Sequence, residues 1–396
     1  MNKIYQHRVM KILEKRLQED RHHIQIILGP RQVGKSTAVR EILKKQSCPT
    51  VYALADLPNP PGTEWITRYW SQARDQALNN KKVILVLDEI QKVAQWSSEV
   101  KRLWEEDSYK DLNIYVVLLG SSSLQIQKGL SESMFGRFEI IWFPHWSFVE
   151  CRDAFGWGLE DYFFYGGYPG GVPLAHDEPR WRDYILNSLI EPVLSKDIML
   201  LANVPKPALL RKLLYLSCEY AGQVLSYTKI IGQFNDVSNT VTIAYYQKLL
   251  EQAFLITGLQ KWTGTALRRR SSSPKWLPLN TALITAIQNR SKNELKEDKT
   301  FWGRLVEAGV GAYIFNQAMI HGFEVYYWRE GIYEIDFVLR KGNKITAIEV
   351  KTGFEYNTKP FEIFKKAYPK ARTILIGEHG IDPEQFLTTP VETYLQ

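Results

Sequence analysis

The sequence predicts an α/β protein: an N-terminal parallel sheet covered by helices, then a winged-helix module, then a smaller C-terminal α/β domain. Three observations carry that expectation. Residues 29–36, Gly-Pro-Arg-Gln-Val-Gly-Lys-Ser, match the phosphate-loop pattern G-x-x-x-x-G-K-[ST] at every specified position. Apolar strand-like runs alternate with helix-compatible stretches through the N-terminal part, the pattern of a parallel sheet with covered faces. Beyond Gly156-Trp157-Gly158 the alternation stops, and capped helices and a pair of acidic strands follow.

The alternation begins with strand His23–Leu28, which leads into the loop, and a helix follows to Gln46. Two glycines free the loop backbone to wrap its N–H groups around an anion, and the helix N-terminus adds positive potential. Residues Gly29, Pro30, Arg31, Gln32, Val33, Gly34, Lys35, Ser36 and Thr37 are thus expected to cradle ATP. Lys35 reaches the outer phosphates and the Ser36 hydroxyl sits on Mg2+. Strand Thr50–Ala55, the loop Asn59-Pro60-Pro61-Gly62 and a helix over Trp65–Asn79 come next. Val83–Leu87 is apolar without interruption, as expected of a central strand buried on both faces, and it ends in Asp88-Glu89. The C-terminal end of such a strand is where α/β folds place their chemistry. Asp88 is expected to hold Mg2+ through water, and Glu89 to polarise the attacking water.

A helix over Trp96–Glu106 precedes the strand Ile114–Leu119, which runs into Gly120-Ser121-Ser122-Ser123. Ser121 stands where a hydroxyl touches the γ-phosphate or the lytic water, while Ser122 suits a helix N-cap. Arg137 heads the strand Glu139–Phe143; it either reaches a transferring phosphate or pairs with a surface carboxylate.

Downstream, a helical segment over about Pro179–Leu201 bridges to a helix over Ala208–Tyr220. Ser226 caps Tyr227–Phe234, Asn235-Asp236 turns the chain, and Ser238 caps Asn239–Gln252, which together make a helix-turn-helix pattern. Strands Phe254–Trp262 and Lys275–Leu279 flank a loop that carries Arg268, Arg269 and Arg270, a wing with a basic tip. Two readings stand: the arginines clamp duplex phosphates, or the module packs as a lid, since Lys248 is the only cation on the second helix. Towards the C-terminus a helix starts at Phe301 and carries Glu307. Strand Ile335–Leu339, turn Lys341–Lys344 and strand Ala347–Lys351 follow, and the period of two sets Glu349 and Lys351 on one face. With Asp336 this is a D…E-x-K pattern: two carboxylates for Mg2+ and a lysine beside them; solvated strand charges are the plainer account.

These segments carry a resemblance. Residues 29–37, 87–91 (Leu-Asp-Glu-Ile-Gln), 120–123 and 136–139 (Gly-Arg-Phe-Glu) are similar to those of bacterial and archaeal AAA+ ATPases. In that family the ATPase is fused to a C-terminal domain of unknown function related to restriction endonucleases. Gly166-Gly167-Tyr168-Pro169 and Glu191–Ile198 match as well, so the resemblance spans essentially the whole chain. It implies the strand order 5-1-4-3-2 and a restriction-endonuclease-like fold at the C-terminus, where Glu307 matches the acidic position on the first helix. One departure is Asn280-Thr281-Ala282-Leu283, where relatives show Asp-Thr-Gly-Leu, which bears on a helix-start contact. The resulting domain reading is 1–158 ATPase, 159–204 helical linker, 205–284 winged helix and 298–396 nuclease-like domain.

Composition agrees. The chain has 396 residues, a hydrophobic share of 45% and only three cysteines, Cys48, Cys151 and Cys218, without a C-x-x-C pair. That speaks against a disulfide framework or a zinc site and for a reducing cytoplasm. No apolar run nears the length of a membrane span, and the N-terminus reads as charged and amphipathic rather than as a signal peptide. A net charge of +7 is compatible with a polyanionic partner such as DNA and equally with simple solubility. A protein partner and self-association into a homo-oligomer are left open.

Overall fold

The computed structural model describes residue 5 and residues 7–120, 134–199, 202–234, 239–263, 272–353 and 357–395. Packing divides them into two compact units, Met1–Phe143 and Pro144–Gln396.

The first unit runs α1 (Met10–Arg16), β1 (Ile24–Leu28), α2 (Lys35–Leu43), β2 (Thr50–Leu54), α3 (Thr63–Ala77), β3 (Val83–Asp88), α4 (Trp96–Tyr109), β4 (Ile114–Gly120) and β5 (Phe138–Trp142). The strands form one sheet in the order β2-β3-β4-β1-β5, every pair parallel. Read from the other edge this is 5-1-4-3-2, as the resemblance implies. The continuous apolar run of β3 has its reason here, since all six of its residues are buried. Helices α3 and α4 are tied together by one deeply buried carboxylate. Asp107 accepts from Trp70 Nε1 at 2.6 Å and from Arg74 Nε at 2.6 Å, which satisfies a charge that burial would otherwise penalise. The register pairs Leu28 with Gly120 and Leu54 with Asp88, so the loops after β1, β3 and β4 leave the sheet at one edge.

The second unit opens with helices, including Phe148–Phe155 and Leu159–Tyr165. The expected bridging segment is helical, as Glu178–Asp183 followed by wider π-type turns over Tyr184–Ile190 and Val193–Ile198. Helices Pro207–Glu219, Tyr227–Gln233 and Thr240–Gln252 follow, and then the antiparallel pair β6 (Ile256–Lys261) and β7 (Lys275–Pro278). Ser226 caps its helix by accepting from Lys229 N. The cap of the next helix is Asn239, which accepts from Thr242 N, one residue beyond the expected Ser238. The long helix Lys299–His321 then leads to β8 (Glu324–Glu330), β9 (Tyr333–Lys341), β10 (Lys344–Lys351) and β11 (Arg372–Gly377).

These six strands form one sheet in the order β11-β10-β9-β8-β6-β7. β6 joins it by a short parallel pairing, Gln260 with Tyr326 and Lys261 with Tyr327. The hairpin of residues 205–284 and the strands of 298–396 therefore share one sheet, and the first compact unit closes at Phe143. One core cluster gathers Trp262, Tyr326, Trp328, Ile335, Val338, Ala347, Phe364 and Ala371, so it too draws on both segments. Asn280, the residue that departs from the usual Asp, still starts its helix. Its Oδ1 accepts from Ala282 N at 3.1 Å and from Gly167 N at 3.2 Å.

Candidate functional site

The loop after β1 is held by backbone geometry. Gly34 sits at φ 91° and Gln32 at φ 59°, both left-handed, and α2 begins at Lys35. A path of this kind is what a phosphate-binding nest of N–H groups requires. The two glycines answer different demands. Gly34 supplies the positive φ with nothing near its missing Cβ, whereas a Cβ on Gly29 would lie 1.8 Å from the carbonyl oxygen of Phe143. Lys35 is buried at 7% exposure and its ammonium donates to the carbonyls of Gly29 at 2.9 Å and Pro30 at 2.5 Å.

The second element lies at the end of β3. Asp88 is 2% exposed, and its Oδ1 accepts from the N–H of Glu89 at 2.9 Å. Glu89 has φ 55°, a left-handed conformation uncommon for a side chain with a Cβ, and its carboxylate accepts from Gln91 Nε2. Tyr52, on the neighbouring strand β2, was not singled out in the sequence. Its hydroxyl donates to Asp88 Oδ2 and is hydrogen-bonded with the Ser36 side chain. The phenol therefore joins the two residues expected at magnesium. Burial first, then the Asp88 carboxylate, pushes the Tyr52 hydroxyl up to about 12. The Arg40 guanidinium lies 4.6 Å from the centre of the Tyr52 ring.

Arg137 donates to Glu105 at 2.5 Å and to the carbonyl of Phe135 at 3.0 Å, which is the surface-pair arrangement. Ser121, Ser122 and the wing arginines Arg268, Arg269 and Arg270 lie outside the described residues.

The second constellation is brought together in the second unit, with a member the sequence reading did not include. Glu307 comes from the helix Lys299–His321, Asp336 and Glu334 from β9, Glu349 and Lys351 from β10. At their centre stands Lys275, the first residue of β7, only 1% exposed. Its Nζ lies 2.8 Å from Asp336 Oδ1, 2.8 Å from Glu307 Oε1 and 3.3 Å from Glu334 Oε1. Asp336 Oδ2 accepts from Val350 N at 2.9 Å. Glu349 pairs with Lys351 at 2.8 Å and accepts from Asp336 N at 3.3 Å. Burial, then the charge of Asp336, pushes Glu307 up to about 8 and Glu349 up to about 7. Burial would raise Asp336 too, but Lys275 and Lys351 outweigh it and hold that carboxyl below the usual range. A lysine inside an otherwise buried strand was the signal available in the sequence, because an ammonium there demands carboxylate partners. Among the described residues no group of three or more His, Cys, Asp and Glu side chains is arranged to hold a metal ion. Nor is any described helix long and apolar enough to cross a membrane.

Comparison with known proteins agrees with the first unit and leaves the second without an assigned activity. Residues 21–152 match an AAA domain. Residues 156–294 and 302–390 match two domains of unknown function, DUF8612 and DUF4143. An uncharacterized protein of Haemophilus influenzae is 24% identical over 362 residues, covering 86% of this chain and 85% of that one. Similar solved structures include the Aeropyrum pernix ORC1 protein in complex with DNA, at 15% identity and TM-score 0.32, covering 76% of this chain and 95% of that one. Another is AMPPCP-bound DnaA from Aquifex aeolicus, at 15% identity and TM-score 0.33, covering 63% and 90%.

Proposed function

We propose that the chain is a Mg2+-dependent ATPase of the AAA+ type, working in the cytoplasm, whose second unit couples the nucleotide cycle to binding of nucleic acid. The observation that carries this reading is the meeting of Ser36 and Asp88 at one phenol, beside a phosphate loop whose glycines have the backbone conformations it needs. Residues 29–37 would hold the triphosphate, with the Lys35 ammonium turning from the loop carbonyls to the phosphates. Ser36 and Asp88 would hold magnesium, and the ion would supply neutralisation of phosphate charge. Glu89, fixed by Gln91, accepts a proton from the attacking water. Ser121 and Arg137 complete the phosphate contacts, Arg137 after leaving Glu105.

Two substitutions test the assignment. Lys35→Ala is expected to abolish binding of ATP in calorimetry. Glu89→Gln is expected to keep binding and lower turnover by about 10²- to 10⁴-fold. Equal ATP affinity in wild type and Lys35→Ala would sink the phosphate-loop assignment. For Arg137, specific activity that rises with protein concentration, with Arg137→Ala rescued by added Lys35→Ala subunits, is the outcome if it acts on a neighbouring subunit. Activity that stays flat over a wide dilution series in a protein shown to remain monomeric would assign Arg137 to its own subunit or to structure.

Nucleic-acid binding rests on the net charge of +7 and on Arg268, Arg269 and Arg270. Replacing the three by Ala is expected to lower the salt slope of duplex binding by up to about three. Absence of binding even at low salt would favour a protein partner. The same unit supports a non-cutting switch rather than a nuclease, because the carboxylates of Glu307, Asp336 and Glu349 already face the ammoniums of Lys275 and Lys351.

A further inference from the structure

The D…E-x-K pattern calls for a divalent cation held by Asp336, with Glu349 beside it and Glu307 near. The structure offers a different cation. We infer that the ammonium of Lys275, delivered by the β6–β7 hairpin, is the resident cation of this acidic cluster, so that the intact chain takes up no divalent metal there and the domain does not cut nucleic acid by metal-assisted hydrolysis.

The geometry is direct. Nζ stands at the same distance, 2.8 Å, from one oxygen of Asp336 and one of Glu307, with Glu334 at 3.3 Å. A magnesium ion bridging those oxygens needs them at about 2.0–2.1 Å and claims the volume the ammonium fills. Oxygens of Asp336 and Glu349 have further partners: Asp336 Oδ2 takes the Val350 N–H, while Glu349 takes Lys351 and the Asp336 N–H. A carboxylate so engaged must break charge-assisted hydrogen bonds before it can ligate.

The lysine is fixed rather than a visitor. It begins a strand whose four residues are all buried, and its neighbour Trp276 is tied by Nε1 to the carbonyl of Leu225 at 2.9 Å. Its ammonium also lies 5.3 Å from the centre of the Phe337 ring, the residue after Asp336. Gly222, at φ 76°, donates its N–H to the Trp276 carbonyl at 2.8 Å and packs against Glu307, so that a Cβ there would lie 3.0 Å from Oε1. The sequence pattern alone counts the carboxylates and one lysine; the fold adds a second lysine from sixty-one residues earlier.

The inference is independent of the phosphate loop, and the test keeps the two apart by using nucleotide-free protein carrying Asp88→Asn. Mn2+ uptake is followed by the electron paramagnetic resonance signal of the free ion. With Lys275 in place the cluster is expected to take up no Mn2+. Lys275→Met, which keeps the apolar stem and removes the charge, is expected to gain one Mn2+ per chain and to lose it again when Asp336→Asn is added. Uptake with Lys275 present that disappears with Asp336→Asn would overturn the inference, as would a folded Lys275→Met variant that binds no Mn2+. If Lys275→Met does not fold, the protein with Lys275 decides alone: uptake dependent on Asp336 overturns the inference, and its absence supports it.

Discussion

The two units each place a carboxylate on a strand and give it a side-chain donor, but the donors differ in kind. At Asp88 the donor is the phenol of Tyr52, neutral and partly exposed. At Asp336 it is the ammonium of Lys275, charged and 1% exposed. Exchanging a neutral hydroxyl for water changes stability by about 0.5–1.5 kcal/mol. Withdrawing an ammonium from a buried acidic cluster leaves uncompensated charge, at about 3–5 kcal/mol. The first arrangement costs little to open; the second resists opening. A motif of acidic residues therefore does not define a metal site until the neighbours that face it are known.

The largest expected effect comes from that charge. Lys275→Met should lower the unfolding free energy of the second unit by about 3–5 kcal/mol, read from urea denaturation. The first unit should keep its own transition and its ATP affinity. A loss below about 1 kcal/mol would break the comparison. It would mean that Glu307, pushed up to about 8 mainly by burial, simply takes a proton when the lysine leaves.

A smaller effect is expected from the backbone of the first unit. Gly29→Ala puts a Cβ against the Phe143 carbonyl and should cost about 1–3 kcal/mol, as overpacking does. Gly34→Ala meets no neighbour but forces φ near 91°, at about 1–2 kcal/mol. The contrast lies in salt response: added salt should leave both glycine variants unchanged relative to wild type, since no charge is altered. An ionic-strength dependence in either would show that the loop is held by charge after all.

Much of the first unit was legible in the sequence because its information is local. The loop motif, the buried run of β3 and the acidic pair after it are each readable from neighbouring residues, and the observed strand order follows the one the resemblance implied. Strand ends moved by a residue, as at His23 and Phe143, where fraying decides the boundary. Tyr52 escaped notice because its partner lies thirty-six residues away on the next strand, and a tyrosine between Val51 and Ala53 reads as ordinary strand alternation. The joining of β6 to β8 was hidden for a similar reason. A short parallel pairing across a long helix leaves no periodic trace in either segment. Lys275 was the one omission with a local sign, a lysine at the head of the buried run Trp276-Leu277-Pro278.

The smallest expected effect examines the opening of the first site directly. Tyr52→Phe keeps the ring, and with it the contact to Arg40, while removing only the hydroxyl that engages Asp88 and Ser36. If Asp88 holds magnesium as proposed, that hydroxyl would compete with magnesium-bound water for the same carboxylate. Its removal should tighten Mg2+-ATP binding by about two- to tenfold, the equivalent of one neutral hydrogen bond. ATP affinity in the presence of a chelator should not change, because Lys35 and the loop backbone are untouched. The effect should also be independent of pH through the neutral range. The phenol, pushed up to about 12, stays protonated there and remains a donor in the wild type. Calorimetric titration with and without Mg2+ separates the two contributions. Weaker Mg2+-ATP binding in Tyr52→Phe would reverse the interpretation, making the phenol a support that aims Asp88 at the metal rather than a neighbour that must let it go.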